Sequence, residues 1–513
     1  MPTRPKARGK KIHVELPEST HRKLRVKAAL EDISIQGFVA DLIARSVSNV
    51  VITGEQPAST AQPDAVAEPS AQYAVDLFGR SKPAIAVQRR TSIRSRTAER
   101  DALHERYSAA LVVNPDLSRS LVSFQSNKTT PFYRWFKFKE AFSHEFVRHI
   151  LHRFPCGETG AGRILDPFAG AGTTLTTATK EGWHATGIEL LPVGTAAMKA
   201  RLLADTVDPA AFEHELKRIA KLGLRKRAGA TYRFRHLRIT ASAFAPDTED
   251  AISAFMQFHE GIAEPDVRYL FWFAALSVLE DVSYTRKDGQ YLRWDSRSER
   301  VLRSNFSKGP IPDFRTALLS KLRLMQADIA QRNGGTFSNN VDIINGSCLE
   351  QLPALQDASF DLMLTSPPYC NRYDYTRTYA LELAFMGYGE KDVTNLRQQL
   401  LSATVENKTK REVLSALFRE CGREAEYRDC ESAFDSQRAL QEVLEILREA
   451  RDARELNNTN IPGMVEHYFF EMNLVIKQLS RVLAPGGRVV MVNDNVDGRT
   501  RPSRIAKVRV RVV

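Results

Sequence analysis

In the stretch Asp361-Leu362-Met363-Leu364-Thr365-Ser366-Pro367-Pro368-Tyr369 an uninterrupted apolar run gives way to two consecutive prolines. A short apolar run bounded by turn residues has the pattern of a strand buried on both faces. Arg163 to Asp166 and Gly487 to Val492 are two more such runs, each leading into a loop. Longer stretches with helical spacing separate them, so from about residue 120 the chain reads as an α/β protein with a doubly wound, Rossmann-like sheet. Ligands bind such sheets beyond the carboxyl ends of the strands, which is where the Thr365 to Tyr369 loop falls.

Upstream, Ile164-Leu165-Asp166-Pro167-Phe168-Ala169-Gly170-Ala171-Gly172-Thr173-Thr174 reads as strand, glycine turn and helix start. Glycine permits a tight turn and close backbone approach, and the free N–H groups of a helix start favour an anionic group. Trp183-His184-Ala185-Thr186-Gly187-Ile188-Glu189 follows as a second strand ending in an acid, placed to accept hydrogen bonds from ribose hydroxyls. These two segments fit any nucleoside cofactor, dinucleotides included.

The Ser366 to Tyr369 loop narrows the choice and excludes hydride chemistry. Proline has no N–H, so the tandem prolines stiffen the loop and leave carbonyl oxygens without adjacent donors. Such acceptors suit an exocyclic base amine, a poor nucleophile whose lone pair is delocalised until both N–H bonds are drawn out of plane. Ser366 and the Pro367 carbonyl supply two acceptors, and positioning with preorganised dipoles does the rest. A base reaching this loop must leave the duplex, and Tyr369 would stack on the flipped ring.

With these motifs in place, residues 121–496 resemble the amino-methyltransferases of restriction-modification systems, of the Ser-Pro-Pro-Tyr type usually assigned to cytosine N4. Phe132-Tyr133-Arg134-Trp135-Phe136-Lys137-Phe138-Lys139-Glu140-Ala141-Phe142-Ser143 is similar to the family segment that packs near the methionine end of the cofactor. Pro192 after the ribose-binding acid, and Pro485-Gly486-Gly487 before a strand ending Asn493-Asp494-Asn495, are also typical. The resemblance implies S-adenosyl-L-methionine as cofactor, held by Asp166, Phe168, Gly170, Gly172, Thr173, Thr174, Glu189, Ser347 and Phe138. It implies Ser366, Pro367, Pro368 and Tyr369 as the catalytic group, with no metal, acting on the N4 amine of cytosine in double-stranded DNA. A cognate restriction endonuclease is the partner that goes with such enzymes.

Other functions fit the residues less well. Adenine N6 and RNA are alternative targets; a protein glutamine amide is disfavoured because those enzymes usually carry Asn where Ser366 stands. A DNA-binding regulator with an inactive body is the non-enzymatic alternative. Two departures from the family pattern bear on it. Asn345-Gly346-Ser347 stands where an aspartate often meets the cofactor's adenine, and only 18 residues, Val496 to Val513, follow Asn495. The Arg499 to Arg511 tail has the look of a truncated or frame-shifted chain, which predicts a sheet lacking an edge.

At the other end, residues 1–50 show strand, helix and helix, and Val14-Glu15-Leu16-Pro17-Glu18 resembles ribbon-helix-helix DNA-binding domains, which implies a dimer through this module with Lys11 and His13 facing DNA. Residues 51–75 are rich in Ala, Pro, Ser, Gln and Thr, and 51–100 read as a largely disordered linker, in which the basic stretch from Arg89 to Arg100 reads as a solvated helix in preference to a phosphate contact. The catalytic body then divides into 101–195 with the cofactor loop, a target-recognition insert at 196–340, the catalytic strand and loop at 341–390, a charged helical insert at 391–460 whose stretch 391–455 is a second candidate for target recognition, and a C-terminal part at 461–513. Within 196–340, the run Tyr284 to Trp294 interleaves cations with aromatics, and Arg286, Lys287 and Arg293 are candidate DNA contacts.

The 73 Lys and Arg against 61 Asp and Glu, a formal charge of +12, suit a polyanionic partner. Five scattered cysteines suggest neither disulfides nor zinc, and no apolar run reaches the roughly 18 residues of a membrane span. A soluble, cytoplasmic, nucleoid-associated protein is the expectation.

Overall fold

The computed structural model describes residues 96–110, 117, 121–138, 141–157, 160–224, 232–288, 291–298, 300, 306–332, 340–493 and 509–512. The 1–50 module, and with it Lys11 and His13, lies outside them.

Three short parallel strands meet at the centre of a six-stranded sheet. β1 (Arg163–Asp166), β2 (His184–Glu189), β5 (Val341–Asn345), β6 (Phe360–Thr365), β7 (Leu483–Asn493) and β8 (Arg509–Val512) lie in the order β5-β2-β1-β6-β7-β8. Ile164 sits against Ala185 on one side and Leu362 on the other, so each central strand is covered by a neighbour, and Ile164, Leu165, Met363 and Leu364 are fully buried. All pairings are parallel except the last, in which Val490 to Asn493 run antiparallel to Arg509 to Val512. The expected open edge beside Gly487–Val492 is therefore not found. The Arg-Val-Arg-Val alternation of Arg509 to Val512, read above as an aberrant tail, has the two-residue period of a strand.

Helices pack on both faces. Those used below are α1 (Ala98–Ser108), α2 (His144–Arg153), α3 (Thr173–Lys180), α4 (Pro192–Thr206), α5 (Pro209–Lys221), α6 (Pro246–Glu260), α7 (Pro265–Val282), α8 (Phe314–Ala330), α9 (Ala380–Phe385), α10 (Glu390–Gln399), α11 (Arg411–Glu420), α12 (Glu424–Asp435), α13 (Arg438–Asp452) and α14 (Ile461–Val482). Proline opens α4 to α7 at their first positions, where its missing N–H costs nothing. Asp208, Glu264 and Asp313 cap α5, α7 and α8 by accepting first-turn N–H groups.

The 196–340 region is mainly helical. α7 is apolar almost all round, with Leu270, Phe271, Ala274, Leu276 and Leu279 fully buried, and α4, α5, α6 and α8 surround it in one core with Phe136, Phe138 and Tyr379. A hairpin of β3 (Thr285–Asp288) and β4 (Tyr291–Trp294) follows α7. The basic stretch that reads as a solvated helix is engaged at its described end. Arg96 and Arg100 pair with Glu449 and Glu442 of α13, so α1 is docked on the 391–460 helices.

Candidate active site

A cavity, partly open to solvent, lies beyond the carboxyl ends of β1, β2, β5 and β6. Its walls hold Asp166, Phe168, Gly170, Thr173, Thr174, Glu189, Ser347 and Phe138, together with Ser366 and Pro368 of the proline loop. Two motifs nearly 200 positions apart in sequence thus face one space because β1 and β6 are adjacent strands.

Asp166 joins them. Its carboxylate accepts Thr174 Oγ1 at 2.6 Å, Thr365 Oγ1 at 2.7 Å and the Phe168 N–H at 3.1 Å, so it ties the glycine loop, α3 and β6 together. Burial pushes its pKa to about 6, against the pull of those three hydrogen bonds. Gly172 takes φ +74° at the start of α3, and a Cβ there would meet Met198 Cγ at 2.5 Å, so the loop closes over α4 only without a side chain. The hydroxyl of Thr173, at the first position of α3, is buried in the cavity wall and meets no partner among the described residues.

Glu189 ends β2 and accepts the N–H groups of Gly170 and Leu191, each at 2.6 Å. Burial raises its carboxyl to about 7, and the nearby Asp166 adds to the effect. Each carboxylate oxygen has further acceptor capacity toward the cavity. Across the space, Phe138 stacks on Tyr379 with ring centroids 5.1 Å apart and lies over Gly170. The segment before it is held from the helical region: fully buried Asp328 of α8 accepts the Phe132 N–H, Arg134 and Trp135 Nε1. Ser347 lines the far end, but its hydroxyl donates to the Gln399 carbonyl at 2.9 Å rather than into the cavity.

In the proline loop, Ser366 Oγ donates to the Val492 carbonyl at 3.2 Å and lies 3.1 Å from the Tyr369 hydroxyl. The Pro368 carbonyl is taken by the Tyr468 hydroxyl at 2.8 Å. Among the described residues no donor reaches the Pro367 carbonyl.

Comparison with known proteins agrees with this geometry. Over 403 residues the chain is 40% identical to the type II methyltransferase M.AvaI of Nostoc sp. and to that of Anabaena variabilis, covering 77% of this chain and 80% of each relative. The chain belongs to the type II methyltransferases. It is also 36% identical over 415 residues to the type II methyltransferase M.BsoBI of Geobacillus stearothermophilus, covering 78% of this chain and 81% of that one. No family model and no solved structure matches it.

In this methyltransferase the three cations of the Tyr284 to Trp294 run do not share a surface. Register pairs Arg286 with Arg293 on the outer face of the hairpin, where both are exposed, and Lys287 with Leu292 on the inner face. Lys287 is 3% exposed, donates to Glu382 of α9 and lies 4.4 Å from the Tyr379 ring centroid. It is a buried anchor and not a phosphate contact. Alternation along β3, with Thr285 buried, Arg286 exposed and Lys287 buried, is the physical reason.

Sequence reading missed the groups that steady the methyltransferase loop. Tyr468 and the Leu400-Leu401 stretch, which lines the cavity, carry no motif and reach the site through α14 and the chain after α10, while the Val492 carbonyl comes from the Gly487–Val492 strand that the sequence did announce. Among the described residues no three His, Cys, Asp or Glu side chains gather as a metal site, and no helix is long and apolar enough to cross a membrane.

Proposed function

We propose that this chain is a site-specific DNA methyltransferase of a restriction-modification system, transferring a methyl group from S-adenosyl-L-methionine to the N4 amine of a cytosine flipped out of duplex DNA. The observation that carries this reading is the pair of acceptors in the proline loop. Because Ser366 Oγ spends its proton on the Val492 carbonyl, it meets the Tyr369 hydroxyl as an acceptor and keeps one lone pair for an incoming N–H, and the Pro367 carbonyl has no donor among the described residues.

The cofactor fits the donor set. Glu189 has the acceptors for two ribose hydroxyls, the Thr173 hydroxyl, which has no partner among the described residues, and the start of α3 suit a carboxylate, and Phe138 and Phe168 give apolar walls. When bound, S-adenosyl-L-methionine supplies an electrophilic methyl group on a sulfonium. The protein residues prepare the nucleophile. Ser366 and the Pro367 carbonyl each accept one N–H of the amine, drawing the nitrogen toward tetrahedral geometry and freeing its lone pair; after transfer the nitrogen sheds one proton to water. Tyr369 stacks on the ring, and its hydroxyl, within reach of Ser366, fixes the loop's shape. The exposed Arg286 and Arg293 pair would follow phosphates.

Ser366 favours cytosine N4 over adenine N6 within this reading. A cognate endonuclease, a dimer through the 1–50 module with Lys11 and His13 on DNA, and action in the cytoplasm at the nucleoid belong to the same proposal. The test is expression in a host free of DNA methylation, followed by mass spectrometry of nucleosides and sequencing of modified positions, for the native chain and Ser366→Ala. N4-methylcytosine at one sequence motif, lost in the variant by at least about 100-fold, is the expected outcome. N6-methyladenine would reassign the base, and no modified base at all would overturn the enzyme.

A further inference from the structure

Helix α14 touches the site at two points that lie three residues apart. Tyr468 donates to the Pro368 carbonyl of the catalytic loop at 2.8 Å. Glu471, on the same helical face, is 1% exposed and accepts the Ser402 N–H at 2.8 Å, Ser402 Oγ at 2.7 Å and Lys410 Nζ at 2.7 Å. Lys410, partly exposed, donates to Ser402 Oγ as well, at 2.7 Å, which closes a triangle with buried Ser402 and Glu471. Directly before Ser402, Leu400 and Leu401 line the cofactor cavity, and Gln399 receives the Ser347 hydroxyl. The strap from Gln399 to Ser402 is thus latched to α14 from one side and to the cavity loop from the other.

Farther along, Arg481 of α14 donates to the Leu352 and Leu355 carbonyls and pairs with Asp357, just ahead of β6. The helix therefore grips both ends of the catalytic strand as well as the strap. A 22-residue helix is a stiff rod of roughly 33 Å, so groups along it keep their spacing.

We infer that α14 is the template that sets the catalytic loop and the cofactor strap in one register, with Tyr468 positioning the loop and Glu471, through Ser402 and Lys410, positioning the strap. Tyr468 has a second effect. By occupying the Pro368 carbonyl it leaves the neighbouring Pro367 carbonyl as the loop's acceptor for the substrate amine. The inference rests on the methyl-transfer reading of this site.

The full chain is tested with Tyr468→Phe, Ser402→Ala and Ser402→Thr, measuring S-adenosyl-L-methionine affinity by calorimetry, single-turnover methyl transfer to duplex DNA, and Tm. Tyr468→Phe is expected to slow transfer by about 10- to 100-fold with cofactor affinity unchanged within twofold. Ser402→Ala is expected to weaken the cofactor by about five- to tenfold with transfer at saturating cofactor nearly unchanged, and Ser402→Thr, which keeps the hydroxyl, to restore affinity. A split of this kind is not the signature of general destabilisation. If either variant leaves both quantities unchanged, or lowers both in step with Tm, the template role is overturned. Should the native chain neither bind the cofactor nor methylate DNA, the underlying reading fails instead.

Discussion

Glu189 does two things that oppose each other. Folding places its carboxyl where burial raises it to about 7, yet the ionised form is the better acceptor for ribose hydroxyls. Cofactor affinity should therefore tighten as pH rises from about 6 to 8, following one deprotonation, and Glu189→Gln should both weaken binding and flatten that profile. Titration by calorimetry at several pH values checks it, and an affinity independent of pH would remove Glu189 from the role. Lys287 supplies a second case at this scale. Lys287→Met leaves Glu382 buried without its cation and should lower stability by about 3–5 kcal/mol, whereas Lys287→Met with Glu382→Leu should recover most of the loss, since a buried pair replaced by apolar groups is often neutral. Denaturant melts of the two variants decide the matter.

Among the elements, the β3–β4 hairpin turns that buried pair into a mount. Its inner face is fixed by Lys287 and Leu292, and its outer face holds Arg286 and Arg293 directly opposite each other, with the Arg293 guanidinium 4.2 Å from the Phe306 ring centroid. Replacing either arginine by alanine should weaken DNA binding about uniformly across sequences and reduce the slope of log affinity against log salt by about one. Fluorescence anisotropy at several salt concentrations measures both; an unchanged slope would take the hairpin off the DNA. The hairpin also marks the boundary of what was legible in the sequence. Apolar runs announced β1, β6 and β7, and the acid at the end of β2 announced itself by spacing. The phase of β3 did not, because counting cations and aromatics leaves open which face packs inward. Tyr468 was silent for a different reason: it lies 100 positions from the carbonyl it holds, on a helix whose sequence reads as ordinary core.

For the whole molecule, Asp166 and Glu189 make the proposed cofactor site a cost to the free protein. Both carboxyls are raised on folding, to about 6 and about 7, from unfolded values near 4 and 4.5. The folded state holds these protons more tightly, so their contribution to stability is greatest at low pH and is lost as pH climbs through the folded values. Each pKa unit corresponds to about 1.4 kcal/mol, so the cofactor-free protein should lose several kcal/mol from this source between about pH 4 and 7. Thermal melts of the native chain against Glu189→Gln isolate the effect: the variant's Tm should vary less over that window, and parallel curves would refute it. The alternating Arg509 to Val512 segment shows the same limit of local reading at large scale, since its pairing with β7 depends on an edge formed by residues elsewhere.

The pairing of β1 with β6 also governs how the protein comes into being. Asp166 and its partner Thr365 are 199 positions apart, so at roughly 5–20 residues per second a ribosome needs about 10 to 40 s to deliver the second after the first. During that interval β1 presents one bare flank and the nascent glycine loop has no proline loop beside it. The helical region around α7 emerges in this gap, and by folding early it would shorten the effective loop that β6 must close to find its place.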